Sequence, residues 1–168
     1  MRHSLFLLYL CLPLIGLSQK TTEKDLFRSR NTIYVEGLGS GGFYSVNYER
    51  LLLLKEKQAY GFRVGISYFG NSPTNLTLTG ELFALIGKGS HHGDFGIGIT
   101  GVTRGNIEAS PISLRKNLLV AVPRLSYRYQ KPTGGLMLRT GFTPIIELSG
   151  ETIDRFGPWL GLAIGHSF

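Results

Sequence analysis

From Asn31 onward the chain alternates, residue by residue, between bulky apolar side chains and small or polar ones. In the last stretch Leu160, Leu162, Ile164, His166 and Phe168 share one side of an extended strand. Trp159, Gly161, Ala163, Gly165 and Ser167 occupy the other. The same period recurs upstream and marks eight strands, 31–39, 42–52, 60–69, 75–86, 93–103, 118–130, 135–148 and 158–168. In the third, Tyr60, Phe62, Val64, Ile66 and Tyr68 oppose Gly61, Arg63, Gly65 and Ser67. In the fourth, Leu76, Leu78, Leu82, Ala84 and Ile86 oppose Thr77, Thr79, Glu81 and Phe83. No segment carries a convincing helical stripe, so the fold class is all-β.

Alternation alone fits a soluble sandwich, a lipocalin-like barrel or a membrane barrel, and the composition of the two faces decides. In a soluble barrel the Leu, Ile and Phe face points inward, and the opposite face is rich in Lys, Glu, Asp and Gln. Here the opposite face is mostly Gly, Ala, Ser and Thr, with isolated charges at Glu36, Glu49, Arg63, Glu81, Arg124, Arg128 and Arg139. Small residues with scattered opposite charges suit a cramped lumen in which every buried charge needs a partner. Tyr60, Tyr68, Tyr127 and Tyr129 lie near the ends of the apolar face, as in an aromatic girdle. The expected fold is an eight-stranded antiparallel up-and-down transmembrane β-barrel. Its three acids are matched to its four arginines across the interior.

Connector lengths fit this arrangement. With the first strand starting in the periplasm, the periplasmic turns are 53–59, 87–92 and 131–134, the last reading Lys131-Pro132-Thr133-Gly134. The outer loops are then 39–42, 70–74, 104–117 and 149–157, so the two longest connections lie outside and the chain ends inside. Pro123 and Pro144 each forfeit a ladder bond. A bulge or flared rim is expected at the outer ends of strands six and seven.

The segment before the barrel reads as an export leader. Met1-Arg2-His3 is basic, Leu5 to Leu17 is almost wholly apolar, and Gly16 and Ser18 suit a cut after Ser18. The expected organisation is a signal peptide over 1–18, a polar periplasmic lead-in over 19–30 and the barrel over 31–168. Cys11 lies in the leader, so a mature chain carries no thiol, which excludes disulfides and cysteine metal sites. The whole chain has 18 basic and 11 acidic residues; losing Arg2 leaves a net +6. Lys and Arg are spread among strands and turns, which favours anionic lipid head groups over nucleic acid.

Three candidate chemistries fail on context. Gly37, Gly39 and Gly42, and again Gly96, Gly98 and Gly101, match the G-x-G-x-x-G spacing, but strand alternation follows where a dinucleotide site needs a helix. His91, His92 and Asp94 fall at an expected turn, where adjacent histidines do not converge on one ion. His166 and Ser167 are neighbours on a strand and point to opposite faces, so they form no base–nucleophile pair. No cofactor is expected.

Tyr44-Ser45-Val46-Asn47-Tyr48-Glu49-Arg50, Tyr127-Arg128-Tyr129-Gln130 and Arg139-Thr140-Gly141-Phe142-Thr143-Pro144 resemble the small outer-membrane barrels of Bacteroidetes-type bacteria, similar in architecture to the OmpA/OmpX type. The resemblance covers essentially all of 31–168. It implies insertion by the barrel-assembly machinery, which reads a final strand such as this one, through Leu162, Ile164 and the terminal Phe168. The expected function is that of a non-enzymatic barrel in a Gram-negative outer membrane, anchoring exposed loops, with its lumen plugged by the charge network. Outer-membrane lipids and lipopolysaccharide would surround it, and 104–117 would offer a contact surface to an outside partner. The alternatives are a lipid-modifying barrel enzyme, a narrow pore, and a secreted lipocalin-like carrier.

Overall fold

The computed structural model describes residues 27–55, 57–69, 74–105, 116–149 and 156–168. The expected leader, most of the lead-in and residues 106–115 of the long loop lie outside them. The strands are β1 (Asn31–Gly39), β2 (Gly42–Lys55), β3 (Gln58–Phe69), β4 (Thr74–Lys88), β5 (His91–Gly105) and β6 (Lys116–Gln130). They are followed by β7 (Gly135–Phe142), β8 (Ile145–Ser149), β9 (Phe156–Gly157) and β10 (Leu160–Ser167). Each pairs antiparallel with its neighbour, and β1 pairs with β10 to close the ring. Segments β7 and β8 continue one barrel strand, as do β9 and β10, so the wall is a closed barrel of eight strands. Closure leaves no strand edge exposed, which hydrocarbon surroundings require.

The faces fall as the alternation predicts. Ile97 is 68% exposed, Leu125 57% and Leu162 59%, whereas Arg63 and Arg139 are each 3% exposed. The bulky apolar side chains form the outer surface, and the charges lie inside. A soluble lipocalin-like carrier requires the reverse. Aromatic residues collect near both rims, with Tyr48, Tyr60, Tyr127 and Tyr129 at one end and Tyr44 and Tyr68 at the other. Tyr44 donates its hydroxyl proton to the Tyr68 carbonyl.

Two turns are tighter than the sequence implies. Lys55 pairs with Gln58 and Lys88 with His91, so 53–55, 58–59 and 91–92 belong to strands. Gly89 takes the left-handed conformation (φ 64°) that so short a connection favours. Polar residues there mimic turn residues because the strands run past the apolar belt. The four consecutive leucines 51–54 defeat simple alternation for another reason. A bulge between Leu51 and Leu53 turns Leu51 inward and leaves both Leu52 and Leu53 exposed.

The prolines also break the ladder. Pairing of β6 with β7 stops at Leu125↔Phe142 and resumes with β8 at Ala121↔Ile146. Pro123 and Pro144 fall opposite each other in the unpaired interval. Neither offers an N–H, so two prolines in register interrupt one strand pair at a single level. Pro123 keeps its place opposite Ile97 on β5, and across the next seam the Thr143 amide still donates to the Trp159 carbonyl at 2.8 Å.

Candidate functional site: a charge-balanced lumen

Seven strands bring charge to the middle of the barrel. Register sets Glu49 of β2 beside Arg63 of β3, and Arg63 beside Glu81 of β4. Arg128 of β6 lies opposite Arg139 of β7. Glu81 projects across β5, where an added Cβ at Gly96 would lie 1.7 Å from its Oε1. Glycine at 96 thus makes room for a carboxylate on the neighbouring strand.

The structure brings together all seven residues singled out from the sequence, with Glu36 completing the ring from β1. Arg124 donates from Nη1 to Glu36 Oε1 at 2.6 Å and from Nε to Glu81 Oε1 at 3.1 Å. Arg63 donates from Nη1 to Glu81 Oε1 at 2.9 Å. Arg139 donates from Nη2 to Glu36 Oε1 at 2.9 Å, and Arg128 from Nη2 to Glu49 and Gln130. An eighth member joins them. Asp94, fully buried, accepts from the one Arg63 Nη2 on both carboxylate oxygens, Oδ2 at 2.8 Å and Oδ1 at 3.0 Å. Arg139 Nη1 and Arg128 Nη1 also lie 3.6 and 3.7 Å from its Oδ2. Four acids therefore face four arginines, and each acid touches at least two of them. Isolated buried ions carry a large desolvation cost, and a closed network with no net charge is the arrangement that offsets it.

Asp94 corrects the expectation of a solvated His91–His92–Asp94 turn. All three lie in β5, and adjacent residues point to opposite sides of the wall. His91 faces outward and shares a 2.5 Å hydrogen bond with the Tyr127 hydroxyl. His92 faces inward, its Nε2 3.2 Å from the Gln130 carbonyl. Alternation read back from Phe95 carries the signal that places Asp94 inside. Among the described residues no set of three or more His, Cys, Asp and Glu gathers as a metal site.

The lumen is filled beyond the charges. Towards the end with short turns, Phe27, Leu51, Ala59, Phe83 and Leu85 form an apolar cluster. The Arg63 guanidinium lies 4.0 Å from the Phe83 ring centroid, and that of Arg139 lies 4.6 Å from the Tyr34 ring. Phe27 comes from the segment read as a polar lead-in, and no periodicity flags it. Its ring is 5.0 Å from His92. The backbone holds this strap in place, because the Arg28 and Ser29 amides donate to the Pro132 carbonyl at 2.8 and 3.2 Å.

The remaining candidates are resolved by orientation. Ser167 is buried and hydrogen-bonded with Thr32 at 3.0 Å, while His166 is exposed on the outer face. Gly96 and Gly98 lie on the lumen side of β5, and Gly39 and Gly42 flank the first hairpin. Neither glycine motif opens a helix. Leu162, Ile164 and Phe168 are exposed on the outer wall.

A closed antiparallel eight-stranded wall, apolar outside and ionic within, defines the class: an OmpA-like barrel in architecture. No family model matches the chain, and no curated protein matches it. Among solved structures it is similar to the N-terminal β-barrel domain of OprF from Pseudomonas aeruginosa, with a TM-score of 0.54. That likeness covers 84% of this chain and 100% of the other, at 14% identity, and is one of fold.

Proposed function

We propose that this chain is a non-enzymatic integral protein of a Gram-negative outer membrane, exported by its leader and serving as a rigid anchor for exposed loops. The observation that carries this reading is the pairing of an apolar exterior with a lumen closed by balanced charges and the Phe27 cluster. The end with short turns faces the periplasm, and the connection 104–117, at the opposite end of β5 and β6, serves as the contact surface for an outside partner. Leu162, Ile164 and Phe168 form the strand read by the barrel-assembly machinery. The motif resemblance supports membership of the Bacteroidetes-type small barrels.

Fractionation and planar-bilayer recording test the proposal together. The protein requires detergent for extraction, migrates faster on gels before boiling than after, and gives no steady channel openings. Recovery in the aqueous phase without detergent overturns the membrane assignment. Steady openings abolished by Arg→Ala changes in the lumen overturn the plug in favour of the narrow pore.

A further inference from the structure

The lumen is charge-neutral, so the positive excess of the chain must reside elsewhere. Arg28, Arg30, Arg50, Lys55, Lys57, Lys88 and Lys131 are all exposed, and all belong to the end that carries the short turns. Backbone hydrogen bonds join their segments in sequence around the mouth. The Gly87 amide donates to the Lys57 carbonyl at 3.1 Å, and the Gln130 amide to the Ser90 carbonyl at 2.9 Å. The Arg28 amide donates to the Pro132 carbonyl at 2.8 Å, and the Leu51 amide to the Arg30 carbonyl at 2.8 Å. The result is a basic annulus of three turns and a strap. Across these segments the sequence contains one acid, Glu56. In sequence, the segments 104–117 and 147–155 carry Arg104, Arg115, Lys116 and Arg155 together with Glu108, Glu147, Glu151 and Asp154, a balanced count. Among the described residues, the exposed cations therefore gather at one rim.

We propose that this annulus binds the head groups of anionic phospholipids in the adjoining leaflet. The height of the cations carries the argument. Tyr48 donates its hydroxyl proton to Asn31 Oδ1 at 2.8 Å, and Tyr60 to Gln58 Oε1 at 2.6 Å. This collar marks where hydrocarbon gives way to head groups. Lys55 Nζ lies 5.8 Å from the Tyr60 ring centroid, placing a rim cation at the collar. Arg50 lies opposite Phe62, and Lys88 opposite the outward-facing His91, so both stand on the outer wall. Lipid surrounds that wall, and a soluble acidic partner reaches these side chains only by displacing it. Long basic side chains lay their stems along an apolar wall and extend their charge to a phosphate plane.

The proposal rests on the membrane assignment above, and its test separates the two. The chain from Gln19 is reconstituted in phosphatidylcholine with a minority of phosphatidylglycerol, and spin-labelled lipids report the motionally restricted shell. At low salt, restricted phosphatidylglycerol exceeds phosphatidylcholine by about threefold, and high salt abolishes the preference. The variant Arg50→Gln/Lys55→Gln/Lys88→Gln/Lys131→Gln lowers it to near unity while keeping the heat-dependent gel shift, since all four residues are exposed. Equal restriction of both lipids by the unaltered protein, or an unchanged preference in the variant, overturns the proposal. Loss of the preference on adding inorganic phosphate in low-ionic-strength buffer, with salt held constant, assigns the annulus to a soluble anion and overturns it as well. A protein that never inserts into the bilayer fails the earlier assignment instead.

Discussion

Arg63→Ala destabilises the barrel by about 3–5 kcal/mol, because it strands buried carboxylates without their common counter-ion. Arg63 reaches three acids: both oxygens of Asp94 through Nη2, Glu81 at 2.9 Å and Glu49 at 3.4 Å. The guanidinium also covers the Phe83 ring, so truncation opens a gap in the packing. Urea titration in detergent micelles, followed by the gel shift, measures the loss. Charge imbalance and lost packing are separated by the paired variant Arg63→Met/Asp94→Leu, which removes one charge of each sign. It recovers at least half of the loss, in keeping with the tolerance of buried ion pairs to apolar replacement. A change at exposed Arg28 shifts stability by less than about 0.5 kcal/mol. A cost for Arg63→Ala as small as that contradicts an integral role for the network.

Ile97→Arg has an effect of comparable size for the opposite reason. Ile97 is 68% exposed near the middle of β5, with Leu82 beside it at 66%. On the surface of a water-soluble protein such a change is close to neutral. At the middle of a hydrocarbon layer an arginine on the wall costs about 2–4 kcal/mol. Refolding into bilayers of the unaltered protein and the variant, with Ser90→Arg at the rim as a control, reads the difference. A penalty at 97 and none at 90 is the expected pattern. Equal stability for all three contradicts a lipid-facing wall.

Much of the wall is legible in the sequence because strand geometry sends neighbouring residues to opposite faces. Where Val64, Ile66 and Leu82 alternate cleanly with Arg63, Gly65 and Glu81, a single choice of inside or outside settles every residue. The composition of the small face made that choice correctly. Legibility fails where the period is broken or masked. At Leu51–Leu54 all four side chains are alike, so nothing in the pattern reveals the bulge. At Lys55–Gln58 and Gly87–His92 the strands leave the apolar belt, and polar residues there imitate turns. That imitation also hid Asp94, whose inward aim follows from Phe95 one residue later. Phe27 had no local signal, because its burial depends on Leu51, Ala59, Phe83 and Leu85 of other strands and on the backbone bonds from Arg28 and Ser29 to the distant Pro132 turn.

Asp94 also changes the electrostatics of the site. Three acids against four arginines would leave the lumen with a positive charge and a bias towards anions. With the fourth acid the interior is balanced, and the net charge of the protein moves to its rim. One inward carboxylate thus removes the positive excess that would bias the lumen towards anions.

Site-directed spin labelling tests most directly whether the greasy side of the wall meets hydrocarbon. Single cysteines are placed at Leu78, Ile97, Leu125 and Leu162 on the outer face, and at Ser126 and Ala163 on the inner face, in a chain with Cys11→Ser. In reconstituted bilayers the outer labels collide freely with dissolved oxygen and are shielded from a water-soluble nickel complex, while the inner labels meet neither. Outer labels that collide with the nickel complex as readily as a label at Lys57 would show the wall bathed in water and contradict the account.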